Sequence, residues 1–354
     1  PSGQWEGTVN PPALPSKVQI LHPPPASLMH SPSKISRRVI KLSIMAMIRS
    51  KRKFPSLPYF WSLIDWTLPS LNPYKGQLLR AQSVSDIAKV ARKRTPKVVF
   101  DYVEGGAVDE MAYSRSRDAY SRIEFNSRVL RDVSKVDTST TILGKVVDIP
   151  ICFAPTGYTR LMYHVGEPAV ANVASKKNMV YALSTMGTTS PEELAAAVPS
   201  SRRWFQLYIM KNRSDSLAVI KQAKDNGFEA LVLTVDTPVT GLRYRDNRNG
   251  LTVPPKIKIN TVFAIARKPI WWLNLFTTGK LEFAAFRGWD KPLSELAGLI
   301  FDPSTTMKEI TWLRSVWNGP IVVKGIQSVD DAKAVAKLGV HDGPSAVQRS
   351  KGSC

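Results

Sequence analysis

Between residues 148 and 340 the sequence alternates short apolar runs with longer amphipathic segments, and this alternation limits the folds open to it. The apolar runs span residues 149–154, 180–184, 204–208, 230–235 and 321–324. Helical periodicity occupies segments near 166–177, 190–198, 214–226 and 304–317. Continuous apolar strands separated by helices are typical of a buried parallel sheet. We therefore predict an α/β architecture built on parallel strands.

Helix-start signals support this interpretation. Ser83 with Asp86 and Ser328 with Asp331 have the spacing of capping boxes, and 190–193 reads Ser-Pro-Glu-Glu, with proline at the first helical position. The first predicted helix follows Ser83, and a second runs from Pro96 to residue 103.

Polar or reactive residues recur where the predicted strands end. They are Pro155 and Thr156, Ser184 and Thr185, Gln206 and Tyr208, Thr234 and Asp236, and Lys324. In a β/α barrel these ends line one mouth, where active sites lie. A doubly wound open sheet would show a similar alternation, but it usually brings a GxGxxG or GxxxxGK[ST] loop, and neither occurs here. The sequence favours the barrel.

These residues suggest a chemistry. Lys324 could neutralise an anionic ring or phosphate, and Gln206 with Thr234 could hold a polar heterocycle. Tyr102, Tyr208 and Arg243 offer two phenols and a guanidinium, a natural receptor for a carboxylate. Each residue alone is more often structural than functional, but their joint position at strand ends favours a site.

The distribution of charge and the number of cysteines limit the interpretation of the N-terminal region and of possible metal sites. Residues 1–80 hold 11 Lys and Arg against two acids, so we expect a disordered basic leader over residues 1–56. Its segment 35–53 is either a membrane-surface or targeting element or a solvated tail. The two cysteines have no metal-ligand spacing and predict neither a metal site nor a disulfide framework.

An insertion at 240–303 separates the fourth and fifth predicted strands. It places Trp271 and Trp272 beside Arg267 and Lys268. Indoles next to cations are typical of an interfacial membrane contact. The alternative is a lid that packs these aromatics on the barrel, and the sequence leaves both readings open.

Six short motifs occur in order and together carry a resemblance. They are TPKVVFDY at 95–102 with GGA at 105–107, APTG at 154–157, ALST at 182–185, FQLY at 205–208, LTVDTP at 233–238 and VKG at 323–325. From about residue 57 to 340 the chain resembles the FMN-dependent 2-hydroxy-acid dehydrogenase/oxidase family, which includes L-lactate dehydrogenases, glycolate oxidase and mandelate dehydrogenase.

The resemblance implies a TIM (β/α)8-type barrel over residues 57–340, with FMN at its mouth. It assigns the flavin to Pro155, Thr156, Gly157, Ser184, Gln206, Thr234 and Lys324. Lys324 would stabilise negative charge on the reduced ring. Tyr102, Tyr208 and Arg243 would bind the carboxylate and hydroxyl of the substrate. Tyr208 and Asp236 are the catalytic positions present, and Asp236 would orient a histidine base.

The departure from the family lies after residue 340. The family places its histidine in a Ser-Asn-His-Gly-Gly-Arg-Gln run, and these 354 residues contain no such run. Neither His341 nor His164 is expected to substitute for it. We expect an incomplete barrel without its last strands and helices, an aberrant tail at 341–354, poor stability and impaired turnover, with a frameshift or premature end as the favoured cause.

The predicted activity is oxidation of an L-2-hydroxy acid, with L-lactate favoured and electrons passing to a quinone or cytochrome. We further expect a cytoplasmic enzyme, homo-oligomeric if its barrel is complete, with peripheral contact to the inner face of the membrane and no nucleic-acid partner. Three alternatives stay open: a non-catalytic remnant of the family, a leader that binds lipid or nucleic acid independently, and an FMN-dependent isomerase.

Overall fold

The computed structural model describes residues 56–64, 73–250, 259–289, 298–340 and 347–348. The predicted leader, apart from residue 56, and the predicted tail, apart from 347–348, lie outside the described residues, as does His341. The chain divides into two compact units, residues 1–69 and 70–354. In the first unit the structure describes helix α1 (Leu57–Ser62), which begins with a proline in its first turn.

The second unit contains a parallel sheet and a small antiparallel hairpin. The hairpin consists of β1 (Thr140–Ile142) and β2 (Lys145–Val147). The parallel strands are β3 (Cys152–Phe153), β4 (Val180–Ser184), β5 (Arg202–Leu207), β6 (Ala230–Thr234), β7 (Ile321–Lys324) and β8 (Val347–Gln348). They lie side by side in chain order. Consecutive parallel strands joined by helices are the arrangement of a β/α barrel wall, so the described sheet matches the incomplete barrel that the sequence predicts.

Helices join and flank these strands. Before the sheet come α2 (Pro73–Leu79), α3 (Val84–Arg94), α4 (Lys97–Glu104) and α5 (Met111–Ser121). Within it come α6 (Thr159–Met162), α7 (Glu167–Lys176), α8 (Pro191–Ala197), α9 (Arg213–Asp225), α10 (Tyr244–Asn249), α11 (Ile259–Ala266), α12 (Pro269–Thr277), α13 (Lys308–Val316) and α14 (Val329–Ala336). Ser83, Ser190 and Ser328 cap their helices as predicted, and the Ser190 box is reciprocal with Glu193.

Two separate apolar clusters show how the sheet divides its faces. Alternate strand residues pack with the helices on one side; they include Leu183, Phe205, Leu207, Leu231, Leu233 and Val323. The residues between them form a smaller cluster on the other side, covered by Ile142 and Val147 of the hairpin. Successive strand residues point to opposite faces of the sheet. Because the helices cover the first face, the second face is the interior side of the barrel wall.

Three regions differ from the sequence prediction. The first strand is limited to Cys152–Phe153, because residues 149–151 form a tight turn in which the Ile151 amide donates to the Ile149 carbonyl. Helices α1 and α2 both precede Ser83, where the first helix was expected. The insertion contains helices α10, α11 and α12. None of the described helices combines the length and apolar character that crossing a membrane requires.

Candidate active site

The strand register brings four predicted cofactor residues together at the carboxyl ends of β4 to β7. Ser184 lies opposite Gln206, and Thr234 lies opposite Lys324. All four are in phase with Ala182, Trp204, Val232 and Val322, which belong to the interior cluster. Because side chains alternate along a strand, the four polar groups share the interior face.

Three of these residues form a continuous hydrogen-bonded strip. The Ser184 hydroxyl donates to Gln206 Oε1 at 3.0 Å, and Gln206 Nε2 donates to Thr234 Oγ1 at 2.9 Å. All three side chains are buried. A buried strip of this kind is stable only when its donors and acceptors are satisfied, and it presents preorganised neutral hydrogen-bonding groups at the mouth.

Lys324 and Asp236 continue the strip. Lys324 Nζ lies 3.9 Å from Asp236 Oδ1, and the side chains are 18% and 3% exposed. Burial lowers the pKa of Lys324, and the negative charge of Asp236 partly opposes that shift. The next residue, Gly325, has φ +112° and lies so close to Asp236 that a Cβ there would be 2.6 Å from Asp236 Cβ. Glycine is therefore required for this approach.

Asp236 has an unsatisfied oxygen. Oδ1 accepts a hydrogen bond from the Thr237 hydroxyl at 3.3 Å, whereas Oδ2 is buried without a hydrogen-bond partner among the described residues. A buried unpaired carboxylate oxygen in a native fold calls for a specific donor. The N–H group of an imidazole has the right chemistry, which agrees with the orienting role implied by the resemblance.

Two predicted substrate-binding tyrosines remain protonated at neutral pH. Burial, the Asp236 charge and Tyr102 raise the pKa of Tyr208 to about 12, against a weaker opposing hydrogen bond with Thr237. Burial also raises the pKa of Tyr102, although the Arg243 guanidinium opposes this shift. Both phenols therefore act as hydrogen-bond donors under ordinary conditions.

Arg243 is held tightly beside Tyr102. Its Nη2 donates to the Tyr102 and Gly105 carbonyls, the second at 3.0 Å, and its Nε lies 2.8 Å from Asp246 Oδ2. The guanidinium carbon lies 4.9 Å from the centre of the Tyr102 ring. The sequence predicted a carboxylate receptor here; the structure adds that Arg243 fastens the end of α4, which carries Tyr102.

The predicted flavin loop of Pro155, Thr156 and Gly157 directly follows β3. It is joined to the turn after β4, because the Tyr158 amide donates to the Met186 carbonyl at 3.0 Å. Tyr158 itself has φ +54°. Its ring packs edge-on against Phe283 at 4.8 Å and Tyr102 at 6.4 Å. Sequence reasoning missed Tyr158; the signal was its place directly after the APTG motif, at the end of a predicted strand.

One cavity borders the strip and a second lies away from it. The first, of about 450 Å³, is bordered by Tyr208, Thr234 and Gly325 and extends to Val323 and Ile310 of the helix-facing core. The other, about 580 Å³, is lined by His164 with Arg160, Glu193, Glu282 and Arg287, among others. His164 thus lines a cavity that none of the predicted site residues borders.

The interior strip suits a flavin ring. Ser184, Gln206 and Thr234 are neutral hydrogen-bonding groups, and the partly buried Lys324 ammonium lies beside them with the Asp236 carboxylate. Neutral groups next to a cation suit a polar heterocycle that gains negative charge. Ser184, Gln206 and Thr234 are brought together with Lys324 as predicted, and Tyr102 with Arg243. Asp236 connects Tyr208 to this group, since its negative charge acts on both the Tyr208 phenol and the Lys324 ammonium, which lies 3.9 Å away.

Comparison with known proteins shows the family of the chain. The sequence pattern of the family described as FMN-dependent dehydrogenase matches residues 91–342. A Mycobacterium tuberculosis protein with a provisional L-lactate dehydrogenase name is 40% identical over 82% of this chain and 70% of its own. The L-lactate dehydrogenase of Vibrio parahaemolyticus is 35% identical, over 72% and 69% respectively.

Similar solved structures indicate the same family. The crystal structure of the monotopic membrane protein (S)-mandelate dehydrogenase is similar with a TM-score of 0.72 at 31% identity, covering 77% of this chain and 72% of that one. The family is built on a TIM barrel and uses FMN, as its sequence resemblance predicted. The match covers most of the chain and spans every motif from TPKVVFDY to VKG, so this protein belongs to the FMN-dependent dehydrogenase family.

Proposed function

We propose that this protein takes part in the FMN-dependent oxidation of an L-2-hydroxy acid, with L-lactate as the favoured substrate. The observation that carries the proposal is Asp236, a buried carboxylate with one unpaired oxygen, 3.9 Å from Lys324 on the interior face. This pair supplies an orienting acceptor for a base and a cation for an anionic cofactor edge. L-Lactate is favoured because relatives with that name match over most of this chain.

Each residue then has a defined task. Ser184, Gln206 and Thr234 would hold the polar edge of FMN, which supplies the two-electron acceptor when bound, and the 155–157 backbone would line it. Lys324 would keep a positive charge beside that edge. Its partly buried position strengthens this effect, because the charge is screened less by water.

The substrate would lie among Tyr102, Tyr208 and Arg243. Protonated Tyr208 would donate to the hydroxyl or carboxylate oxygen, and the Asp236 charge beside it disfavours the phenolate. Arg243 would contribute positive charge through Nη1, since Nη2 donates to two carbonyls and Nε lies 2.8 Å from Asp246 Oδ2 in an ion pair. Asp236 would accept the N–H of the imidazole base and fix its orientation.

The 354 residues alone would have little or no turnover. They contain four histidines, none in a Ser-Asn-His-Gly-Gly-Arg-Gln run, so the base itself is not supplied by this segment. The chain should therefore bind flavin without oxidising substrate. We expect the purified chain to bind FMN weakly and to leave L-lactate unchanged.

A chimaera tests the proposal. Residues 1–340 would be joined to the segment that follows the matching position in the Vibrio parahaemolyticus relative. With bound FMN and no oxygen, L-lactate should bleach the visible flavin absorbance, and D-lactate should not. Asp236→Asn in the same chimaera should slow bleaching by about 10²-fold or more, as loss of an orienting carboxylate does in other enzymes. Failure to bind FMN, or equal bleaching by both lactates, would contradict the proposal.

We also infer that the insertion contacts a membrane surface and that the electron acceptor is a membrane quinone or a cytochrome. Helices α11 and α12 expose large apolar side chains to solvent: Ile259, Val262, Phe263, Ile270, Leu273 and Phe276, each between 48% and 78% exposed. Arg267 and Lys268 lie between the helices. Apolar side chains flanked by cations suit an anionic bilayer interface.

The two tryptophans face the other way. Trp271 Nε1 donates to the Leu161 carbonyl at 2.9 Å, and both indoles are partly buried. They support the lid reading, whereas the exposed aliphatic and phenyl groups support the membrane reading. The related (S)-mandelate dehydrogenase is itself described as a monotopic membrane protein.

Vesicle sedimentation tests the membrane contact. The full chain should co-sediment with vesicles containing phosphatidylglycerol, and Phe263→Asp with Phe276→Asp should abolish this. The control is Phe125→Asp, since Phe125 is 98% exposed but lies outside the insertion. Equal loss of binding in the control and the double variant would contradict the assignment.

A further inference from the structure

A buried carboxylate that sequence reasoning missed lies behind the flavin loop. Glu167 opens helix α7 and is fully buried. Among the described residues it forms no ion pair, so its charge is compensated by hydrogen bonds and by the start of α7, where the helix dipole favours an anion. A buried carboxylate in a neutral setting needs a structural reason.

The reason is a set of donors from the loop after β4. Glu167 Oε1 accepts the Thr188 amide at 2.6 Å, and Oε2 accepts the Thr188 hydroxyl at 2.7 Å and the Thr189 hydroxyl at 2.8 Å. Thr188 and Thr189 follow directly after the turn that contains Ser184 and Met186. Glu167 therefore fixes the far end of that turn.

The Thr188 hydroxyl relays this restraint to a second loop. Its hydrogen is donated to Glu167, so its oxygen is free to accept the Arg160 amide at 3.1 Å. Arg160 lies in the short helix α6, which follows the 155–157 loop, and it packs on Gly166; a Cβ on Gly166 would lie 2.4 Å from Arg160 Cγ. Glu167 thus joins both loops that border the proposed flavin.

We propose that Glu167 is a positioning residue, which acts through Thr188 to set the separation between the 155–157 loop and the Ser184–Met186 turn and thereby the fit of FMN. The identity of the ligand rests on the proposed function. The Glu167–Thr188–Arg160 relay is independent of any ligand.

The sharpest variant is Thr188→Val, which keeps the shape and backbone amide of Thr188 but removes the relay hydroxyl. Thr188→Ser keeps the hydroxyl and serves as the rescue. In the full chain, fluorescence titration should give an FMN dissociation constant about tenfold higher for the valine variant and near the parent value for the serine variant. Glu167→Met should weaken binding at least as much. Glu192→Gln is the matched control, since Glu192 is exposed in the first turn of α8.

Hydrogen exchange gives a readout that needs no flavin. Thr188→Val should speed exchange at the Arg160 amide and across 158–162, while the Thr188 amide stays protected by Glu167. A valine variant that loses thermal stability without change in FMN affinity or in 158–162 exchange would overturn the proposal. A parent chain that fails to bind FMN would count against the proposed function, and the exchange result would still decide on Glu167.

Discussion

The approach of Gly325 to Asp236 makes a quantitative prediction for Gly325→Ala. A new Cβ would lie 2.6 Å from both Cβ and Cγ of Asp236, whereas carbon atoms pack at about 3.5–4.0 Å. Relief requires a shift of about 1 Å in a side chain that is 3% exposed. Overpacking of this kind costs about 1–3 kcal/mol, and φ +112° adds about 1–2 kcal/mol for a residue with a Cβ. We expect a total loss of about 2–5 kcal/mol.

The control is Gly339→Ala. Gly339 also has positive φ, +70°, but a Cβ there would meet no atom within 4 Å, so only the backbone term of about 1 kcal/mol applies. Urea unfolding followed by tryptophan fluorescence gives both values, with unchanged m-values as evidence that only the folded state is affected. Equal losses in the two variants would show that the Asp236 contact is not close in solution. The 3.9 Å approach of Lys324 to Asp236 would then be contradicted as well.

Three further outcomes follow from the same contacts. Lys324→Gln removes the partly buried ammonium and should raise the FMN dissociation constant by about tenfold in a fluorescence titration; unchanged affinity would exclude Lys324 from the flavin site. The pKa of Tyr208 is raised from 10.0 to about 12, so its stabilising contribution is present below about pH 10 and lost as the pH rises to about 12. Tyr208→Phe should therefore reduce the fall in melting temperature over that interval, and an identical fall would contradict the shift. Arg243→Lys should lower the free energy of unfolding by about 1–2 kcal/mol in urea, because a single ammonium nitrogen cannot reach the Tyr102 and Gly105 carbonyls and the Asp246 carboxylate together, as the guanidinium does. Arg115→Lys, at an exposed position, should have little effect.

The sequence was most informative where burial and periodicity coincide. Strands β4 and β7 have the predicted limits, because their apolar runs are buried on both faces and end at a polar residue. The same alternation placed Ser184, Gln206, Thr234 and Lys324 on one face. Residues at the carboxyl ends of adjacent parallel strands must meet at one edge of the sheet. This part of the site could therefore be predicted from the amino-acid sequence alone.

Other elements gave weaker signals. The β1–β2 hairpin turns at Leu143 and Gly144, which both have positive φ. Asn-Gly or Asp-Gly would have predicted such a turn. Leucine is disfavoured at positive φ, so the Leu143-Gly144 pair gives no recognisable turn signal. Glu167 looked like an ordinary acidic residue in the first turn of a helix. Its burial depends on Thr188 and Thr189 closing over it, and local pattern does not reveal a contact across 21 residues.

Arg243 shows how one side chain can serve both structure and binding. A guanidinium has three nitrogen atoms, and here Nη2 fastens the end of α4 while Nε pairs with Asp246. These contacts fix the plane of the group over the Tyr102 ring, so the remaining Nη1 has a defined direction before any substrate arrives. A carboxylate bound there would not have to order the side chain, which lowers the entropic penalty of binding. The structural contacts of Arg243 therefore strengthen, rather than weaken, its assignment as part of the carboxylate receptor.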